Sequence, residues 1–111
     1  MEVRTQRFKN CDVIYASGRV DAYTAPQLEE AFTAVAKGGR YHIVFDMSGV
    51  DYISSVGLRV LVDAQRICKR YNRGRVVIAN PSPFVARTLD LAGFYTLFQV
   101  YDSTLDAVGN I

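Results

Sequence analysis

The sequence predicts one α/β domain: a mixed β-sheet with an N-terminal hairpin and flanking α-helices. Three observations lead there. Two strand-like segments open the chain, and strand and helix patterns then alternate to its end. Two short runs, residues 41–47 and 75–79, are almost continuously apolar, as interior strands covered on both faces are. The chain has 111 residues, 50% of them hydrophobic, which suffices for one core, so the expected organisation is a single domain over residues 1–111.

Residues 1–9 and 12–16 are rich in strand-compatible side chains and are separated by Asn10-Cys11, the pattern of a β-hairpin, with Gly18 closing the second strand. Thr24 is placed to cap the first helix, and Pro26 falls in its first turn, where a missing N–H costs little. Leu28, Ala31, Phe32 and Val35 recur at helical spacing until Lys37-Gly38-Gly39, residues that tolerate the positive φ of a helix stop. The run Tyr41-His42-Ile43-Val44-Phe45-Asp46-Met47 predicts a central strand, followed by a loop with Ser48, Gly49 and Asp51. Beyond Ser54-Ser55, the residues Leu58, Leu61, Ala64, Cys68 and Tyr71 predict a second helix ending near Asn72-Arg73-Gly74. Residues 75–79 form another buried strand, and Pro81 and Pro83 introduce a third helix over residues 84–92, closed by Gly93. Residues 94–100 supply a short last strand, and Ser103 caps a final helical turn through Leu105 and Val108. Strand-helix-strand units in such a sheet are expected to cross right-handed.

Composition excludes several function classes. The net charge is +2 with both signs interspersed, so nothing calls for nucleic acid. No apolar stretch approaches the roughly 20 residues that span a bilayer, and the first residues lack the apolar middle of a secretory signal; the expected location is cytoplasmic, away from membranes. Cys11 and Cys68 stand alone, without a metal-ligand spacing, and read as reduced structural thiols. His42 has no partner pattern of a catalytic triad, and neither common glycine-rich phosphate cradle occurs.

The segment Phe45-Asp46-Met47-Ser48-Gly49-Val50-Asp51-Tyr52-Ile53-Ser54-Ser55-Val56-Gly57-Leu58 reads as strand, loop, paired serines, then a glycine at a helix start. It resembles the phosphorylation loop of the STAS family. Gly18-Arg19-Val20-Asp21-Ala22-Tyr23-Thr24-Ala25 is similar to the family's Gly-x-hydrophobic-Asp-x-x-Thr-Ala segment, and Ala79-Asn80-Pro81 with Val85, Leu89, Leu91, Ala92 and Gly93 matches a third. The pieces follow the family's order and spacing over nearly the whole chain, and the resemblance is to its bacterial anti-sigma factor antagonists.

That resemblance implies a STAS-like mixed sheet, no enzymatic activity and no cofactor or metal. It also implies partner switching: the unmodified protein captures an anti-sigma factor and so frees a sigma factor. The anti-sigma factor is also a serine kinase, which phosphorylates its antagonist at the serine directly before the helix; a serine phosphatase resets the switch. On this pattern the modified residue is Ser55, two residues ahead of Gly57. Ser54, where the family commonly has aspartate, is the fallback, and Asp51 is the nearest carboxylate in sequence. The implied partner-binding residues are Asp21, Thr24, Ser54, Ser55, Val56, Gly57 and Arg59.

The physics of a helix N-terminus supports such a switch. Unpaired N–H groups and the helix dipole favour a phosphate there, while a partner packed on it would have to desolvate about −1.5 to −2 of added charge. Plainer readings exist for the same residues. One serine can be only an N-cap, worth about 1 kcal/mol, and Gly57 can be a packing glycine rather than a point of close approach by a partner backbone. Asp21 and Thr24 can be turn and cap residues, or a docking edge that meets a basic residue of the kinase. Arg59, Asp63, Arg66 and Arg70 share one helix face, with Arg59–Asp63 and Asp63–Arg66 spaced to pair, as on a solvated surface. Two other functions fit the chain: a STAS module of a lipid-transport or stress-sensing assembly, and a nucleotide-binding α/β protein, for which no motif speaks.

Overall fold

The computed structural model describes residues 1–71 and 73–111. Strand β1 (Glu2–Arg7) turns back on β2 (Asp12–Val20), the Phe8 N–H donating to the Cys11 carbonyl at 2.8 Å; the pair is antiparallel, with Glu2 opposite Ser17 and Arg7 opposite Asp12. From there every strand is parallel to its neighbour: β3 (His42–Ile53), β4 (Arg75–Ala79) and β5 (Val100–Tyr101) follow in the order β1-β2-β3-β4-β5. Helices α1 (Ala25–Lys37), α2 (Ser55–Arg70) and α3 (Pro83–Leu91), with a 3₁₀ turn (Phe94–Thr96), make the crossovers, and α4 (Thr104–Asn110) ends the chain.

Alternation along β3 divides the interior. Ile43, Phe45 and Met47 face the layer of α1, α2 and α3, where Leu28, Phe32, Leu61, Cys68, Val85 and Leu89 complete the larger core. Val44 faces the other side with Cys11, Val13, Val77, Ala79 and the α4 residue Ala107. Three buried polar side chains tie the layers. Asp12 pairs with Arg40, whose guanidinium also donates to the Cys11 carbonyl at 3.1 Å. Asp46 accepts the Ser48 N–H and hydroxyl at 2.9 and 2.6 Å and the Thr104 hydroxyl of α4. Gln65 accepts the Val76 N–H at 2.6 Å and donates to the Val76 and Leu97 carbonyls at 3.1 and 2.9 Å, stapling α2 to β4 and to the segment before β5.

Several boundaries differ from the sequence-based expectation. Gly18 does not close β2; with φ of +98° it forms an irregularity inside a strand that continues to Val20. The expected loop with Ser48, Gly49 and Asp51 is the second half of β3, paired with the extended β2 as Ser17 opposite Gly49 and Val20 opposite Ile53. Its polar residues lie exposed while Val50 and Ile53 stay in the core, so pairing overrides composition. Of residues 94–100, Phe94–Thr96 form a 3₁₀ turn and 97–99 are irregular, with β5 only at Val100–Tyr101. Helix α2 stops at Arg70 with Tyr71 as its cap; of the expected end, Asn72 lies outside the described residues. Helix α3 begins at Pro83, capped by Ser82, whose hydroxyl accepts the Val85 N–H.

Candidate functional site at the start of α2

Parallel pairing brings the ends of β2 and β3 side by side, so the entrances of α1 and α2 leave the sheet at one edge. The Ser54 N–H donates to the Val20 carbonyl at 2.9 Å, continuing that pairing by one residue. Ser54 then caps α2: its backbone is extended and its hydroxyl accepts the Gly57 N–H at 3.3 Å. The two serines are thereby sorted. Ser54 is half-buried and committed, whereas Ser55 is the first helical residue, exposed, with no hydrogen bond from its hydroxyl to any described residue. Ser55, expected directly before the helix, is instead its first residue, because Ser54 takes the cap.

Gly57 is buried, and a Cβ there would lie 2.7 Å from Val20 Cγ1 and 2.8 Å from Ile53 Cγ1. The close approach that requires glycine is thus made by this chain's own β2 and β3. Val56 is 44% exposed and Arg59 is exposed, so both lie on the surface beside Ser55. Of the pairs expected on α2, neither Arg59–Asp63 nor Asp63–Arg66 forms; among the described residues the ion pairs are Arg19–Asp21 and Arg40–Asp12.

At the α1 entrance, Thr24 holds the cap position without capping the helix, since its hydroxyl is turned back toward Arg19 and Asp21. It donates to the Arg19 carbonyl at 2.8 Å and accepts the Asp21 N–H at 2.9 Å. Asp21 Oδ1 in turn accepts the N–H groups of Tyr23 and Thr24 at 3.0 and 3.2 Å, and the Asp21 carbonyl accepts the Ala25 N–H at 2.8 Å. Desolvation acts to raise the Asp21 pKa, but the Thr24 and Tyr23 hydrogen bonds and the Arg19 charge together hold it below the ordinary carboxyl value.

The basic partner foreseen for Asp21 is already present within the chain. Arg19 Nε lies 3.5 Å from Asp21 Oδ2, and its guanidinium stacks 4.0 Å above the Tyr52 ring. Arg19 and Tyr52 were not among the expected site residues; they are opposite each other in the β2–β3 register, a long-range fact that their spacing in sequence does not reveal. Tyr23, 94% exposed between Asp21 and Thr24, is a second omission. An aromatic in a turn segment was its only signal.

The STAS domain family model matches residues 2–107. The chain is 36% identical over 87 residues, 78% of its own length and 73% of the relative's, to a Bordetella bronchiseptica protein named as the anti-sigma factor antagonist BtrV. It superposes with a TM-score of 0.88, at 28% identity and covering 97% and 91% of the two chains, on an anti-sigma factor antagonist from Mycobacterium paratuberculosis. A Thermotoga maritima structure described in the same terms gives a TM-score of 0.91 at 18% identity, covering 98% and 93%, which is a likeness of fold. A family model spanning all but the ends of the chain, and one architecture shared with both solved proteins, place this chain in the STAS domain family.

Proposed function

We propose that this chain is an anti-sigma factor antagonist, a non-enzymatic cytoplasmic switch formed by a single STAS domain. Unphosphorylated, it binds an anti-sigma factor that is also its serine kinase and so frees a sigma factor; phosphorylation of Ser55 ends the binding, and a serine phosphatase restores it. The observation that carries this reading is the division of labour at the α2 N-terminus, where Ser54 fills the cap and leaves the Ser55 hydroxyl exposed and unengaged. A phosphate on Ser55 would sit at the positive end of the α2 dipole and disturb no contact that holds the fold. Ser54 is the poorer acceptor, since its modification would remove the Gly57 contact. The names carried by the similar proteins agree with this role. The surface meeting the partner comprises Asp21, Thr24, Ser54, Ser55, Val56, Gly57 and Arg59, with Gly57 contributing backbone only and Asp21 and Thr24 acting chiefly to hold the α1 entrance.

The test is capture from the native cell with unaltered chain and with Ser55→Asp, followed by incubation of the captured protein with ATP. The expected result is an ATPase-type anti-sigma factor held by the unaltered chain alone, which then places one phosphate on Ser55. Capture of that factor equally by both forms, or a phosphate mapped to Ser54, Ser48 or Thr24, would refute the assignment.

A further inference from the structure

Away from Ser55, a groove of about 760 Å³ runs between α1 and α2. Its floor is apolar and buried: Phe32, Ile43, Val60, Ala64 and Cys68, the last with its thiol raised to about 11 by burial. Its walls leave Ile67 44% and Tyr71 47% exposed. At one end the Tyr41 and Tyr71 rings stack at 5.2 Å, and beside them stand Lys37, in the last turn of α1, and Arg70, which with Lys69 is basic in the last turn of α2. Arg66 lines the same wall of α2, one turn earlier. Of the acidic lining residues, Glu29 lies in the first half of α1, about 12 Å from Lys37 by the 1.5 Å rise of a helix, and Asp63 stands at the middle of α2, about 10 Å from Arg70.

The groove is therefore electrically polar along its length, with an apolar stretch between the two ends. A cation at a helix C-terminus has a plain role in offsetting the dipole, which accounts for Lys37 and Arg70 singly. It does not account for the apolar cleft they share or for the half-exposed Ile67 and Tyr71. None of Lys37, Arg66 and Arg70 is within ion-pair distance of a carboxylate among the described residues, where the pairs are Arg19–Asp21 and Arg40–Asp12. The volume falls in the range of small-molecule sites, roughly 300–1,000 Å³.

We infer that this groove binds one molecule of an amphipathic monoanion, its carboxylate between Lys37 and Arg70 and its apolar chain lying over Ala64 and Ile67 toward Val60. Charge complementarity selects the class and the orientation: the cationic end takes the head, and Glu29 and Asp63 repel a second anionic group. The head-group end of the groove lies about 22 Å from Ser55 along α2 by the same helix rise, and the Val60 end is the nearer to it.

Calorimetric titration of the intact chain with decanoate, decanol, decyltrimethylammonium and decanedioate, each below its micelle concentration, tests this, with amide spectra locating the site. Decanoate is expected to saturate at one molecule per chain. The alcohol, the cation and the diacid should bind at least tenfold more weakly, and shifts should fall in the C-terminal halves of α1 and α2. The double substitution Lys37→Gln with Arg70→Gln should weaken decanoate tenfold or more at an unchanged fold. Because the head-group series uses the unaltered chain, it decides the matter even if that variant folds poorly. Equal affinity for all four probes, non-saturating uptake, or no binding would overturn the proposal. So would sedimentation showing a dimer that Ile67→Glu dissociates, since a second copy would then own the groove.

Discussion

The Ser54 N–H donates to the Val20 carbonyl at 2.9 Å, joining the end of β2 to the cap of α2. Through this one bond the two segments of the proposed partner surface, Asp21–Thr24 and Ser54–Gly57, share an anchor although they are far apart in sequence. The helix start is consequently held by the sheet and not by the exposed surface, so a charge added at Ser55 should leave the fold intact.

Ser55→Asp should melt like the unaltered chain and bind the anti-sigma factor roughly tenfold more weakly, while Ser55→Ala should bind and resist phosphorylation. The carboxylate gains from the helix dipole by typically 0.3–1 kcal/mol, but at an interface it must be desolvated or left unpaired, on the order of 1–3 kcal/mol. Calorimetry against the purified factor, with the phosphorylated chain as reference, measures both.

Ser54→Ala should lower stability by about 1 kcal/mol, the usual cost of losing an N-cap, since the Gly57 N–H loses its acceptor. Ser54→Asp should retain that stability, because a carboxylate caps equally well. Denaturant unfolding distinguishes the two, and a neutral Ser54→Ala would show that the cap is not the reason for this serine.

Gly57→Ala sets two effects against each other. Replacing a glycine in a helix gains up to about 1 kcal/mol. The added Cβ would, however, approach Val20 Cγ1 and Ile53 Cγ1 to 2.7 and 2.8 Å, and overpacking of this kind costs typically 1–3 kcal/mol. Overpacking should win, with a net loss of about 1 kcal/mol and a shifted α2 entrance. Urea unfolding and phosphorylation rate read the two consequences.

Asp21→Ala should lower the melting temperature and speed amide exchange at Tyr23 and Thr24, whose N–H groups lose their acceptor, while Asp21→Asn retains most of both. The pH dependence has a definite sign. Because the folded-state pKa is depressed, the stabilisation is fully present above the unfolded carboxyl value and is lost as pH falls through the folded one. An NMR titration of the Asp21 carboxyl showing a midpoint at or above the ordinary value would contradict this.

Gln65→Leu should be the most damaging of these substitutions. It strands the Val76 N–H and carbonyl in buried surroundings and removes the donor to the part-buried Leu97 carbonyl, so a loss on the order of 3 kcal/mol is expected. Thermal unfolding reads it directly.

Much of this architecture was legible in the sequence because its signals are local. The 3.6-residue spacing from Leu58 to Cys68 and the apolar run at residues 75–79 announce α2 and β4 wherever they lie, and capping chemistry marks Ser103. Tertiary structure decided what depends on distant partners. Ser48 to Asp51 have loop composition, yet the extended β2 recruits them into β3. Thr24 carries a cap residue's identity, yet Arg19 and Asp21 claim its hydroxyl. The roles of Ser54 and Ser55 follow the same rule: two adjacent serines have the same local propensity, and only the bond from Ser54 to Val20 sets which one caps and which one is left exposed. Propensity belongs to a residue and its near neighbours, whereas hydrogen-bond allocation and close packing are settled only when strands remote in sequence come together.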